Sequence, residues 1–105
     1  MHVLVVTFHL EGITEADYLG ACNQLAPAIS EAPGLIGKTF IANAQTNTYG
    51  GVYFWRDQES LEAFKRSDIW QAVATNPALV GTTAQEFGVL EAPSRVTRGV
   101  AAVAA

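Results

Sequence analysis

The chain has 105 residues, of which 50% are hydrophobic and 15% charged, and its formal net charge is −4. One domain accounts for this length, and an acidic chain with only six scattered basic residues does not have the charge pattern of a nucleic-acid-binding protein. The single cysteine, Cys22, excludes an intrachain disulfide, and no apolar run approaches the roughly 20 residues of a membrane span, so we expect a cytoplasmic protein without membrane segments.

The first half of the chain predicts a strand, a helix and a second strand. Residues 2–9 are rich in β-branched and aromatic side chains, which is typical of a buried strand. Thr14 and Asp17 have the spacing of a capping box and predict a helix that runs to about Ser30. A second strand is predicted over 35–43, where apolar residues alternate. The apolar stripe expected to face the sheet from the helix comprises Leu19, Cys22, Leu25, Ala26 and Ile29.

The second half predicts a strand, a broken helix and a final strand. Residues 51–56 contain three successive aromatic side chains and form the third predicted strand. Asp57 predicts a helix N-cap, and Ser67 or Asp68 restarts the helix after a break. The last strand is predicted within 80–90, where a glycine weakens its middle.

The resulting order, β-α-β-β-α-β, predicts a ferredoxin-like α+β fold with a four-stranded antiparallel sheet and two helices on one face. The other face is left uncovered, although the chain has a high hydrophobic fraction for its size. Two such sheets can cover each other across a two-fold axis, so we expect a homodimer of the dimeric α/β barrel type. Residues 1–98 are assigned to the single domain and 99–105 to a short C-terminal tail.

Two side chains could act as a general base. His9 ends the first strand and titrates near neutral pH, so it could transfer a proton, or it is simply a surface residue at a strand end. Lys38 is the one cation in an otherwise apolar strand. If buried, it would have a lowered pKa and could act as a base or hold an enolate or phenolate. The alternative is a lysine that reaches the surface or pairs with Glu86.

Aromatic residues of the third strand and the second helical region could line a pocket. Tyr53 and Trp55 project to the same side of their strand, and a tyrosine hydroxyl can donate a hydrogen bond to a substrate oxygen. The alternative is that these residues, like Trp70, belong to the core or an interface. If they face the helices, we expect them to border one apolar pocket with His9. The candidate residues are His9, Tyr53 and Lys38 for catalysis, and Trp55, Trp70, Phe40 and Phe87 for substrate binding.

Several motifs that bind cofactors or metals are missing from the sequence. There is no glycine-rich phosphate loop, no CxxC or HExxH spacing and no GxSxG nucleophile elbow. The two histidines stand near the N-terminus, too few for a strong metal signal. We therefore expect neither a metal nor an organic cofactor.

A series of short motifs runs through most of the chain. They are Leu25-Ala26-Pro27, Pro33-Gly34, Lys38, Gly50-Gly51-Val52-Tyr53 and Phe87-Gly88-Val89-Leu90-Glu91-Ala92-Pro93-Ser94. Their order and intervals resemble the YdhR-like mono-oxygenase family of the dimeric α/β barrel superfamily, which also holds the antibiotic-biosynthesis mono-oxygenases. The resemblance implies a small homodimeric enzyme of secondary or aromatic metabolism.

Relatives in that superfamily include cofactor-free mono-oxygenases that deprotonate an aromatic substrate and let it react directly with O₂. The resemblance therefore implies mono-oxygenation of an apolar aromatic, phenolic or polyketide-like substrate without a cofactor. Two alternatives are a cofactor-free cyclase or isomerase acting in the same pocket, and a non-enzymatic dimeric ligand-binding accessory protein. The fold hosts all of these functions, so it does not choose among them.

The superfamily also contains haem-degrading enzymes. The segment Ser67-Asp68-Ile69-Trp70 of this chain resembles the second-helix motif of those enzymes. That branch has a histidine ligand near the position of Ala74 and a tryptophan near that of Phe64. Both residues are replaced in this chain, so the resemblance does not imply haem degradation.

Overall fold

The computed structural model describes residues 1–100 and contains one antiparallel sheet with helices packed on one of its faces. In chain order the elements are β1 (His2–Leu10), α1 (Glu15–Ser30), β2 (Leu35–Asn43), β3 (Thr48–Trp55), α2 (Gln58–Lys65), α3 (Asp68–Thr75), β4 (Leu79–Gly88) and α4 (Glu91–Val96). The strand order is β2-β3-β1-β4, and every neighbouring pair is antiparallel. This arrangement confirms the predicted ferredoxin-like fold class.

The helices begin where their capping residues predict. The Thr14 hydroxyl accepts a hydrogen bond from the backbone N–H of Asp17 at 3.1 Å, and the Asp17 carboxylate accepts one from the Thr14 N–H at 3.2 Å. Asp57 caps α2, and Ser67 caps α3 after a break. Each cap satisfies a backbone donor that the first helical turn leaves unpaired, which explains why these boundaries can be seen in the sequence.

The core lies between the sheet and α1, α2 and α3. Because side chains alternate along a strand, Tyr53 and Trp55 share the helix-covered face of β3, and both are buried. Val52 and Phe54 project to the opposite face. The buried core residues are Leu4, Val6, Phe8, Ile29, Tyr49, Tyr53, Trp55, Leu61, Phe64 and Trp70. Burying one large apolar side chain contributes about 1.5–3 kcal/mol, so this layer accounts for most of the fold's stabilisation.

The opposite face of the sheet carries apolar side chains that stay partly exposed. Val3 and Val5 of β1 lie there beside Phe87 of β4, which is 52% exposed. On the β2 side, Ile41 is 36% exposed. An apolar surface of this kind differs from the alternating polar face that a sheet normally presents to water.

The C-terminal part of the chain contains a helix that was not predicted, and the predicted tail lies largely outside the described residues. The short helix α4 was not predicted, because its six residues carry no buried side chain that would give a periodic pattern. It is held through Glu91, which pairs with the N-terminal amine of Met1 at 3.4 Å. From residue 101 onward, the tail predicted over 99–105 lies outside the described residues. In the part described, 1–100, no helix combines the length and the hydropathy needed to cross a membrane.

Candidate functional site

A cavity of about 390 Å³ lies between the helix-covered face of the sheet and helices α1 and α3. Its walls are mainly aliphatic and aromatic. Part of the α1 stripe lines it instead of filling the core, because Cys22 and Leu25 face open space, and Leu25 stays 41% exposed. Gly51 of β3 shares the helix-covered face with Tyr53 and lines the cavity, and it has no side chain to fill the gap. The cavity thus lies where a glycine on the strand faces helix α1.

The two glycines of β3 are required by close contacts. A Cβ atom on Gly51 would lie 2.5 Å from Cε of Lys38, and one on Gly50 would lie 1.8 Å from the backbone oxygen of Val6. Gly50 therefore lets β3 approach β1, while Gly51 leaves room for the Lys38 side chain to fold across the sheet. This requirement explains why the glycines stand inside a strand, where glycine is otherwise unfavourable.

Lys38 projects into the cavity from β2, opposite Tyr53 in the strand register. Its amine lies 3.9 Å from the ring centre of Phe40 and 4.4 Å from that of Tyr53. Burial lowers the pKa of Lys38 to about 8. The two ring faces attract the ammonium form and oppose part of this shift.

The alternative ion pair between Lys38 and Glu86 is not formed. Glu86 instead accepts a hydrogen bond at 2.7 Å from Lys65, which reaches it from α2. Within residues 1–100, no carboxylate lies within ion-pair distance of the Lys38 amine. Lys38 is therefore a cation in an apolar cavity without a paired anion among the described residues.

Two tyrosine hydroxyls belong to the same cavity. Burial raises the pKa of both Tyr53 and Tyr18, and a hydrogen bond with Cys22 adds to the effect on Tyr18. Both tyrosines therefore keep their protons at neutral pH and can act as hydrogen-bond donors. The Tyr53 ring is fixed by stacking on Trp55, with ring centres 6.1 Å apart and planes 8° apart.

His9 does not border the cavity, contrary to the expectation from its position. The neighbouring Phe8 faces the helices, so the next side chain along the strand projects to the other side of the sheet. The exposed His9 ring donates a hydrogen bond from Nδ1 to the backbone oxygen of Asn47 at 2.8 Å. It thus fixes the β2–β3 loop beside the end of β1 and lies away from the cavity.

Three further candidates also lie outside the cavity. Trp55 is fully buried and Trp70 is 8% exposed, and both pack against Phe64 with ring centres 5.1 Å and 6.3 Å away. Phe87 lies on the uncovered face of the sheet, opposite Val3. The prediction that Trp55, Trp70 and His9 border one pocket with Tyr53 is therefore wrong, and Phe87, a candidate for substrate binding, also lies outside this cavity. The candidates that do line the cavity are Lys38, Tyr53 and Phe40.

The family model described as "Putative mono-oxygenase ydhR" matches residues 3–100. The chain belongs to this YdhR family. The match covers every strand, the cavity and the glycine pair of β3. A comparison with curated protein sequences finds no match.

Solved structures similar to this YdhR-family protein share its fold at low sequence identity. The heme-degrader MhuD from Mycobacterium tuberculosis, with two hemes bound in its active site, has a TM-score of 0.69 and 20% identity over 86% of this chain and 96% of that one. SnoaB from Streptomyces nogalater, a cofactor-independent oxygenase, has a TM-score of 0.69 and 16% identity over 86% and 93%. A "putative antibiotic biosynthesis monooxygenase" from Deinococcus radiodurans has a TM-score of 0.73 and 12% identity over 88% and 95%. These likenesses establish an antibiotic-biosynthesis-monooxygenase-like fold.

The positions that the sequence resemblance relates to haem chemistry do not suit haem in this YdhR-family protein. Ala74 is an exposed residue of α3 without a ligating atom, and Phe64 is buried in the core. Neither of the two histidines of the chain lines the cavity. Among residues 1–100, no cluster of three or more His, Cys, Asp or Glu side chains is arranged to hold a metal ion.

Tyr18 is a cavity residue that was not predicted from the sequence. Its position was predictable, since residues 18, 22, 25 and 29 follow the helical repeat and all four line the cavity. The predicted stripe used Leu19 instead, which is 56% exposed. The polar residues Asp17 and Asn76 also lie on the cavity wall, and Asp17 is engaged in the cap of α1.

Proposed function

We propose that this protein is a cofactor-independent mono-oxygenase acting on an apolar aromatic, phenolic or polyketide-like substrate bound in the cavity. The observation that carries this proposal is the Lys38 amine, held among aromatic rings in an apolar cavity with a lowered pKa. The YdhR family membership and the shared fold with SnoaB support the reaction class.

In the proposed reaction Lys38 is the general base. Its neutral amine takes a proton from an acidic O–H or C–H bond of the substrate, and the resulting ammonium stabilises the phenolate or enolate that forms. Tyr53 donates a hydrogen bond to a substrate oxygen, and Phe40 contacts its aromatic ring. The apolar walls keep water away from the anion.

The electron-rich anion then reacts with O₂ directly. One oxygen atom enters the substrate as a carbonyl and the other leaves as water, so a methylene group and O₂ give a ketone and H₂O. The substrate supplies all the electrons. No step requires a group beyond the side chains, the substrate and O₂.

We also propose that the protein is a homodimer built through the uncovered sheet face. Val3, Val5, Ile41 and Phe87 give this face an apolar surface that water would otherwise contact. A stable interface of this kind buries more than about 1,000 Å² in total. Light scattering at micromolar concentration is expected to report twice the 11.2 kDa chain mass, and a particle of 11.2 kDa would contradict the dimer.

Oxygen uptake tests the proposed reaction. Phenols, naphthols and anthrone-type compounds that raise the melting temperature are incubated with the protein in an oxygen electrode. We expect one O₂ consumed for each substrate converted. Turnover without O₂ uptake would contradict the oxygenase and indicate a cyclase or isomerase. Binding without any turnover would indicate a ligand-binding protein.

A further inference from the structure

Lys38 is also placed to act as a nucleophile. We propose that its amine condenses with aromatic aldehydes and ketones that enter the cavity, forming an imine. This reactivity goes beyond the proposed oxygenation and does not rest on it, because imine formation needs neither O₂ nor substrate deprotonation. It would give the cavity a covalent binding mode for carbonyl compounds.

The first observation is that the amine is available. The described residues form three ion pairs, and none of them includes Lys38. Asp17, the carboxylate on the cavity wall, accepts a hydrogen bond from the Thr14 backbone. The amine lies 3.9 Å and 4.4 Å from the ring centres of Phe40 and Tyr53, which contact it without neutralising it.

The second observation is that the surroundings favour the nucleophilic form of the amine. Burial lowers the pKa of Lys38 to about 8. At pH 8 about half of this amine is then neutral, whereas an ordinary lysine with a pKa near 10.4 is neutral in roughly one molecule in 250. Only the neutral amine has the lone pair that attacks a carbonyl carbon.

The third observation is that the cavity suits an aromatic carbonyl compound. Its volume of about 390 Å³ is in the range of small-ligand pockets, and Phe8, Phe40 and Tyr53 supply aromatic wall. The tyrosine hydroxyls of Tyr18 and Tyr53 keep their protons, so they can donate a hydrogen bond to the carbonyl oxygen.

The reaction is redox-neutral and balanced. The amine nitrogen forms a bond to the carbonyl carbon, the C=O π bond breaks, and one proton moves from nitrogen to oxygen to give a carbinolamine. Loss of the hydroxyl group with the remaining N–H proton gives the imine and one molecule of water. The apolar walls favour this dehydration by limiting the return of water.

Reductive trapping tests the inference. The protein is incubated at pH 8 without O₂ with benzaldehyde and sodium cyanoborohydride, which reduces an imine to a stable secondary amine. Intact mass and peptide mapping then locate the label. The competing amines are Lys65, the only other lysine, and the N-terminal amine of Met1. The neutral fractions differ by about a hundredfold at pH 8, so we expect Lys38 to be labelled at least about tenfold faster than Lys65.

Two variants serve as controls. K38R keeps the positive charge but cannot form an imine, so the label at this position should be lost, while K65R should label as the wild type does. If K38R does not fold, the wild-type peptide map still compares the labelling of Lys38 with that of Lys65 and so tests the inference. Equal labelling of Lys38 and Lys65, or no label on Lys38, would overturn the inference.

Discussion

The two lysines of this chain show how differently one side chain behaves in two parts of the same fold. Lys38 lies in the cavity between aromatic rings, and burial lowers its pKa to about 8. Lys65 lies between α2 and β4, where the hydrogen bond to Glu86 raises its pKa. Lys65 is stabilised by its partner, whereas the charged form of Lys38 is destabilised by its surroundings. A cation that weakens the fold in this way is a candidate for function.

The largest expected difference between the two lysines is in catalysis. Lys38→Met removes the proposed base and should lower turnover by about 10² to 10⁴, the usual contribution of general-base catalysis. Lys65→Met removes a charge that does not line the cavity and should leave turnover unchanged. Oxygen uptake with a confirmed substrate measures both. Wild-type turnover by Lys38→Met would remove Lys38 from the mechanism.

The stability of the same two variants should change in opposite directions. Lys38→Met fills the same volume without a charge and should raise the free energy of unfolding at pH 7 by about 1–3 kcal/mol, since one pKa unit corresponds to about 1.4 kcal/mol. Lys65→Met breaks a surface ion pair and should lower it by about 0–1 kcal/mol. Urea denaturation followed by circular dichroism measures both values. Loss of stability in Lys38→Met would show that the ring contacts outweigh the burial of charge.

The pH dependence of stability gives a second view of Lys38. Its pKa is about 8 in the folded state against 10.5 for the ordinary side chain, so the unfolded state binds more protons between these values. Wild-type stability should therefore rise, relative to Lys38→Met, as the pH increases from about 8 towards 9.5. Denaturation midpoints of both proteins at several pH values test this. Parallel pH profiles would contradict a lowered pKa.

Tyr53→Phe should have a smaller effect than the loss of the base. The substitution keeps the stacking with Trp55 and the ring face beneath Lys38, and it removes only the hydrogen-bond donor. Loss of one hydrogen bond to a substrate contributes about 0.5–1.5 kcal/mol, which corresponds to roughly a two- to twelvefold decrease in kcat/KM. A decrease as large as that of Lys38→Met would assign the proton transfer to the tyrosine hydroxyl.

The fold was predictable from the sequence because its signals are local. Capping residues such as Thr14 and Asp57 define helix starts within a few positions. Alternation along β3 placed Tyr53 and Trp55 on a common face, but it left open which face the helices cover. Alternation along β1 would also have predicted that His9, which follows Phe8, projects to the face opposite the cavity.

The site was less predictable because the cavity depends on contacts between distant segments. The room for the Lys38 side chain comes from Gly51 on the neighbouring strand, and the open volume depends on how closely α1 approaches the sheet. Trp55 and Trp70 have the composition expected of a pocket wall, but packing against Phe64 places them in the core. Side-chain type alone does not distinguish these two environments.

The ionisation of Lys38 determines whether the cavity holds a neutral amine that can act as a base or a nucleophile. Lysine labelled with ¹³C at Cε gives two side-chain signals in this chain, one from each lysine, and Lys38→Met assigns them. Titration by NMR should yield a pKa of about 8 for Lys38 and a value above the ordinary one for Lys65. A Lys38 pKa at or above 10.5 would contradict a neutral amine in the cavity and, with it, both proposed reactions.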